Sequence, residues 1–333
     1  MARLLDTEAD AASSPIALPT DWVSPPAGFW TALPPRLRSR IDQLLRRSLP
    51  SPAYRFVRSS RCELRRVVGH GRLLPDYLII GVVKGGTTTL SAWLNEHPLV
   101  APAALKEVHF FDYQFRLGED WYRAHFPKER ERAVFATEHG RPFLTGEASP
   151  SYISHMWAPT RIAQALPDVK LIVALRNPVD RAYSHFQMSR REDDEPLDSF
   201  EQAIAVEDER LQPELARVAA DPSLCSARLG AWSYLMRSRY AEQLDHWFEL
   251  FPREQFYFVK TEDLASKPAE ALAGVHRFLG LPHHERDEHS SFHVGHYAPM
   301  SADTRAKLVE YFRPHNEQLY ELVGIDFGWD AQL

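Results

Sequence analysis

Pro75–Leu94 reads PDYLIIGVVKGGTTTLSAWL, and the reading of this stretch decides the fold. Tyr77 to Val83 is an apolar, β-branched run of the length that suits one buried strand. It breaks at Lys84-Gly85-Gly86, passes Thr87, Thr88 and Thr89, and resumes with Leu90, Trp93 and Leu94 at helical spacing. A strand, a glycine turn and a helix start leave unpaired backbone N–H groups at the positive end of a helix dipole, which is where anions bind. Gly85 and Gly86 let backbone approach an anion closely, Lys84 adds a mobile positive charge, and the threonines offer hydroxyl donors or a cap. The nucleoside-triphosphatase loop GxxxxGK[ST] has its lysine after the last glycine; here the lysine comes before the glycine pair. On these residues alone the stretch is either a phosphate loop of unusual order or an ordinary strand–turn–helix corner.

Working outward, strands and helices alternate. Val169–Leu175 reads as a second buried strand, ending in Arg176-Asn177-Pro178, with a helix from Val179 to about Ser189 and Pro178 suited to its first turn. Phe256–Val259 is a third strand, closed by Thr261-Glu262-Asp263-Leu264. Phe143–Pro150 reads as a short strand and turn, and helices are expected over Pro159–Leu166, Trp232–Leu250, Pro268–Leu279 and Ser301–Val323. Residues 113–143 are aromatic and charged, with helix expected around Trp121 and Tyr122, and residues 192–225 read as a polar surface excursion. The alternation predicts an α/β fold, a P-loop-like three-layer arrangement with a central parallel sheet flanked by helices, in one domain over 71–333. Residues 1–70 are expected to be a partly helical extension. Its basic helix over Pro34–Arg47 would meet an anionic surface or pack a solvated face onto the domain.

Composition narrows the function. The 333 residues are 44% hydrophobic and 25% charged, which is ordinary globular usage, and the net charge of −6 argues against general nucleic-acid binding. Two cysteines, Cys62 and Cys225, make no disulfide framework and point to reduced thiols. No apolar run reaches the about 18 residues of a membrane span, and the N-terminus lacks the apolar core of a signal peptide. A cytoplasmic location is expected.

Ligands of open α/β sheets bind at the C-terminal ends of strands. Two strands here end in anion-binding residues, Lys84 to Thr89 after the first and Arg176 after the second. Ser184, eight residues beyond Arg176, falls on the helix that follows, near enough to join it around an anion. An arginine suits paired hydrogen bonds to phosphate, although a strand-end arginine paired with a carboxylate is the plain alternative. Two anion sites on neighbouring strands suggest a nucleotide with phosphates at both ends of its ribose. Between these strands, Lys106-Glu107-Val108-His109-Phe110-Phe111-Asp112 mixes ionisable and aromatic residues. Alternation along an extended strand would put Glu107 and His109 on one face.

These motifs carry a resemblance. Gly81 to Leu90 resembles the 5′-phosphosulfate loop of sulfotransferases that use 3′-phosphoadenosine 5′-phosphosulfate (PAPS), and Leu175 to Ser184 resembles their 3′-phosphate motif. Lys106 to Asp112 is similar to the segment with the catalytic glutamate in the heparan sulfate and Nod-factor branch. Covering about residues 75–329, the resemblance implies PAPS as donor, adenosine 3′,5′-bisphosphate as product and no metal requirement. It implies that Lys84 neutralises charge on the leaving phosphate. Gly85, Gly86, Thr87, Thr88 and Thr89 would hold the 5′-phosphate, and Arg176 and Ser184 the 3′-phosphate. Glu107 becomes the general base, with a pKa raised by burial among Val108, Phe110 and Phe111. His109 is its rival or its support. Two departures remove positive charge, Ala148 standing for a lysine after Glu147 and Thr88 for an arginine of some members. They imply a small or neutral acceptor, a sugar, a glycolipid headgroup or a hydroxylated natural product, rather than a highly sulfated polysaccharide. A metal-dependent small-molecule kinase and a nucleotide-binding module without turnover are the competing functions.

Overall fold

A computed structural model of the chain describes residues 71–284 and 297–329. The apolar run forms β1 (Tyr77–Gly81), and it lies in the middle of a five-stranded sheet. Its companions are β2 (Val100–Pro102), β3 (Leu144–Ala148), β4 (Lys170–Leu175) and β5 (Phe256–Lys260), in the order β2-β3-β1-β4-β5. Every pairing is parallel.

The first helices in chain order are α1 (Thr87–Leu94), α2 (Glu119–Arg123), α3 (Glu129–His139) and α4 (Ala158–Ala165). After β4 come α5 (Pro178–Arg191), α6 (Phe200–Ala205), α7 (Glu207–Ala220), α8 (Ala227–Trp232) and α9 (Tyr240–Phe248). α10 (Thr261–Ser266), α11 (Pro268–Leu279) and α12 (Ala302–Val323) follow β5.

The alternation of side chains along a strand explains why β1 is buried throughout. Leu78 and Ile80 enter one core with Leu171, Val173 and Phe256 of the sheet and Leu244 and Trp247 of α9. Tyr77 and Ile79 enter the other with Ile172 and Ala174, beneath Leu90, Trp93 and Leu94 of α1 and Leu272 and Val275 of α11. A third cluster joins Val179, Ala182 and Phe186 of α5 to Phe200 of α6 and Leu308, Val309 and Phe312 of α12. Together these give the three layers expected from the sequence.

Three local expectations are corrected. The helix expected over Trp232–Leu250 is broken between α8 and α9. The cause is Arg181 of α5, whose fully buried guanidinium donates to the carbonyls of Ser233 and Tyr234 and to Ser238 Oγ (2.6 Å). Glu207 accepts the amides of Leu235 and Met236 at 2.8 Å each, so tertiary partners satisfy the backbone that a continuous helix would have used. The excursion over 192–225 is therefore partly internal, since Glu207 of α7 is itself buried. Lys106–Asp112 is not an extended strand. Glu107 and His109 take left-handed φ values of 60° and 54°, and a π-helical turn runs from Phe110 to Gln114.

The edge strand β2 and the short helix α10 were not foreseen. The expected helix over Pro34–Arg47 lies outside the described residues. Among the described residues no helix is long and apolar enough to cross a membrane.

Candidate active site

The chain leaves β1 in one direction and β4 in the other, so strand order reverses between two hydrogen-bonded neighbours, and a crevice opens above their C-terminal ends. Both sequence-expected anion loops sit there. Val82 N donates to Ala174 O of β4 at 2.9 Å, and Gly85 N donates back to Val82 O at 2.9 Å, which closes a tight turn. A Cβ on Gly85 would lie 2.4 Å from Ala174 O, so this position takes only glycine. Gly86, with φ 76°, is the N-cap of α1 and supplies no side-chain acceptor. The glycine caps the helix and the threonines do not, so the cap role offered to them is corrected. Thr87 and Thr89 are buried and Thr88 is half-buried.

Arg176 leaves the end of β4 and donates from Nη1 to Lys84 O at 3.3 Å, joining the two loops. Its own carbonyl accepts from Tyr240 Oη at 2.9 Å. Among the described residues no carboxylate is ion-paired with Arg176. Asn177 caps α5 through Val179 N (3.0 Å) and Asp180 N (3.4 Å), and Ser184 lies buried in the second turn of that helix. Two neighbours on α10 brace the pair of loops, Thr261 Oγ1 donating to Gly85 O (2.8 Å) and Glu262 Oε1 accepting from Asn177 N (2.8 Å). Burial, then the charges of Arg191 and Arg176, push the Lys84 ammonium below its usual pKa, with Glu192 opposing. Cations gathered with so little counter-charge, beside uncapped helix amides, fit an anion.

The Glu107 loop rests on the end of the neighbouring strand. Glu107 N donates to Ala148 O (3.1 Å) and Ser149 N to Ile79 O (3.1 Å), which sets Lys106–Asp112 beside the mouth of the β1 loop. Glu107 and His109 do come together, though through their left-handed backbones. His109 Nε2 lies 3.8 Å from Glu107 Oε2 and its Nδ1 lies 2.8 Å from Asp112 Oδ2. Asp112, wholly buried, also accepts from Ser151 Oγ (2.5 Å) and Tyr113 N (2.7 Å).

Burial works against charging His109, but its bonds to Asp112 and Glu107 outweigh that and raise it to about 10. Burial likewise works to raise Glu107, yet the bond from His109 and the charge of Lys106, its ion-pair partner, bring it down to about 2. The expected upward shift of Glu107 is corrected. Val108, Phe110 and Phe111 turn into the core, while the Glu107 side chain stays 39% exposed.

Sequence reasoning passed over three residues that border the site. Asp112 stood in the quoted segment, but its spacing of three from His109 means contact only in a helical turn, and a strand was expected there. Arg191 lies in the last turn of α5, where basic residues commonly favour the helix dipole, so it gave no separate signal. Glu147, one residue before the end of β3, is buried and held by Ser149 Oγ and Tyr152 Oη at 2.7 Å each.

Two loops that fit anions at the reversal of strand order, with an acid–imidazole pair beside them, suit a group-transfer enzyme with an anionic donor. Comparison with known proteins makes this specific: the family described as "Sulfotransferase domain" matches residues 74–319, and the chain belongs to it. It is an enzyme of sulfuryl transfer. The chain is 33% identical over 282 residues to the human heparan sulfate glucosamine 3-O-sulfotransferase 6, covering 78% of this chain and 74% of that protein. It is 28% identical over 320 residues to the membrane-associated sulfotransferase kil1 of Dictyostelium discoideum, covering 77% of this chain and 66% of the relative. Among solved structures, the sulfotransferase from Alicyclobacillus acidocaldarius superposes with a TM-score of 0.58 at 28% identity, covering 78% of this chain and all of that one.

Proposed function

We propose that the chain transfers the sulfuryl group of PAPS to a hydroxyl or amine of a small molecule, sugar or glycolipid, releasing adenosine 3′,5′-bisphosphate. The observation that carries the reading is the junction of the two loops, where Arg176 meets Lys84 and α10 fastens both. In this reading the first-turn amides of α1 and the threonine hydroxyls receive the 5′-phosphate, and Arg176 and Ser184 receive the 3′-phosphate. Lys84 neutralises the oxygen that bridges phosphate and sulfur as that bond breaks.

On the acceptor side Glu107 takes the proton. His109, held protonated up to about pH 10, supports Glu107 in that role rather than taking it, and the buried Asp112 orients the ring. A carboxylate at about 2 is a weak base. By analogy with phosphoryl transfer, the moving group is loosely bonded to both partners, so the acceptor proton becomes acidic late and placement counts for more than basicity. Thr88 is half-buried, Ala148 is buried, and neither carries charge, which favours an acceptor of low negative charge. A cytoplasmic setting belongs to the same proposal, as does a catalytic domain over 71–333.

Calorimetry with adenosine 3′,5′-bisphosphate in the absence of Mg²⁺ tests the donor half. Arg176→Ala is expected to weaken binding by about 10- to 100-fold, the worth of charge-assisted hydrogen bonds to a phosphate. A preference for Mg-ATP would sink the proposal. Screening acceptors with labelled PAPS tests the other half, with Glu107→Gln expected to lose turnover while keeping nucleotide affinity.

A further inference from the structure

Glu147 takes no part in the chemistry above, yet it is a buried carboxyl beside the site. It is 4% exposed, and no basic side chain pairs with it among the described residues. Instead three hydroxyls donate to it: Ser149 Oγ to Oε2 (2.7 Å), Tyr152 Oη to Oε1 (2.7 Å) and Tyr122 Oη to Oε1 (3.4 Å). Two of these hydroxyls are themselves acceptors for the acceptor-side turn. Ser149 Oγ takes the amide of His109 (3.0 Å), and Tyr152 Oη takes those of Phe110 (2.9 Å) and Phe111 (3.4 Å). Three successive amides therefore hang from one carboxyl group through two hydroxyls, at the point where His109 enters its left-handed conformation.

We propose that Glu147 is a positioning residue that, in its ionised form, holds the Glu107–Asp112 turn and with it the orientation of His109. The physical reason lies in the direction of the hydrogen bonds. A carboxylate only accepts, so it obliges both hydroxyls to spend their protons on it and keeps their lone pairs turned to the amides. A protonated carboxyl turns one oxygen into a donor, and where that proton goes to Ser149 Oγ or Tyr152 Oη the hydroxyl must redirect its own, which re-aims the lone pair holding an amide.

The groups facing Glu147 are His109 and Asp112 from the turn, Tyr122 from α2, and Ser149 and Tyr152 from its own segment. Burial raises its pKa to about 7, against the donations of Ser149 and Tyr152 and the charge of His109, while Asp112 adds to the rise. The anchor therefore fails on the acid side of neutrality, where Glu107 and His109 both keep their charges. The functional consequence rests on the reading of that turn as the acceptor side; the anchoring itself does not.

The test uses the full chain and two readouts. Hydrogen exchange at pH 8 follows the amides of His109, Phe110 and Phe111, with those of Leu171–Val173 as internal control. Glu147→Gln is expected to speed the three turn amides by about tenfold and leave the strand amides unchanged. Histidine side-chain NMR, with His109 assigned by His109→Gln, is expected to show its ring shifts moving with a midpoint near pH 7 in the wild type and flat in Glu147→Gln. If both readouts match the wild type in Glu147→Gln, the positioning role is overturned. Should that variant not fold, Ser149→Ala and Tyr152→Phe test the two arms separately. The first should release only His109, the second only Phe110 and Phe111, and release of neither counts against the proposal. Release of adenosine 3′,5′-bisphosphate from PAPS, with water as acceptor, is measured beside these. A Glu107→Gln enzyme as fast as wild type would overturn the reading of the turn and leave the anchor standing. Loss in Glu107→Gln but not in Glu147→Gln would overturn the anchor's bearing on turnover.

Discussion

Gly85 sits where the two strand ends come closest, and its missing side chain is a condition of the site. A methyl there would meet Ala174 O at 2.4 Å and the Val82 side chain at 2.7 Å, so β1 and β4 would have to part at their C-terminal ends. Gly85→Ala is expected to cost about 1–3 kcal/mol of stability, as overpacking does, and to weaken adenosine 3′,5′-bisphosphate more than tenfold. Chemical denaturation and calorimetry on one preparation would check both, and a well-folded variant with wild-type affinity would contradict the geometry. At this scale the sequence was informative wherever a residue type has few alternatives. A glycine pair after a buried strand, and an arginine before Asn-Pro, announce themselves. Asp112 and Glu147 did not, because their meaning depends on a backbone that turns left-handed at Glu107 and His109, and on hydroxyls that reach in from α2 and the turn after β3.

At the level of elements, α5 is well specified by its own ends. Asn177 accepts from two first-turn amides, Pro178 opens the helix, Asp180 suits its N-terminus, and Arg190 and Arg191 suit its C-terminus. Asn177→Ala should therefore cost about 1 kcal/mol in urea unfolding. It should also weaken nucleotide binding, since α5 carries Ser184 and starts beside Arg176. An unchanged midpoint would mean that the cap is idle. Local signals of this kind made β1, β4, β5, α5 and α11 readable in advance. The break between α8 and α9 was not readable, because an amphipathic pattern continues through it. What stops the helix is Arg181, which lies far away in sequence and takes the carbonyls for itself. Glu262 was read as the end of a strand; its part as a brace for Asn177 is again a long-range bond.

For the molecule as a whole, the buried histidines decide how stability responds to acid. His276 and His155 are pushed by burial down to about 4, and His185 and His97 are lowered for the same first reason. An unfolded histidine takes its proton near 6.5, while these stay neutral in the fold, so their stabilisation is present above about 6.5 and lost as pH falls towards 4. Glu147 acts in the opposite sense, since a carboxyl raised to about 7 favours the fold as pH drops through that value. Glu207, raised by burial as well, adds to that sense, so the four lowered histidines act against two glutamates. Urea midpoints are expected to be lower at pH 5 than at pH 7, with His276 alone accounting for about 1–2 kcal/mol, and a midpoint that rises at pH 5 would contradict the assignment. The overall topology was legible because alternating strands and helices admit few parallel arrangements, whereas no pattern in the chain announced the edge strand β2. One further consequence follows from α10, whose adjacent Thr261 and Glu262 fasten the two anion loops at a set distance. A nucleotide charged at both ends behaves there as a bivalent ligand: once one end is seated, the other meets its site at high effective concentration. On the proposed reading donor and spent nucleotide share both ends, so the cradle would grip the one nearly as well as the other. The first turnover should be fast and later ones limited by departure of the bisphosphate, visible as a burst of about one product per enzyme. A linear time course from the first turnover would show that the cradle lets go more readily than its bracing implies.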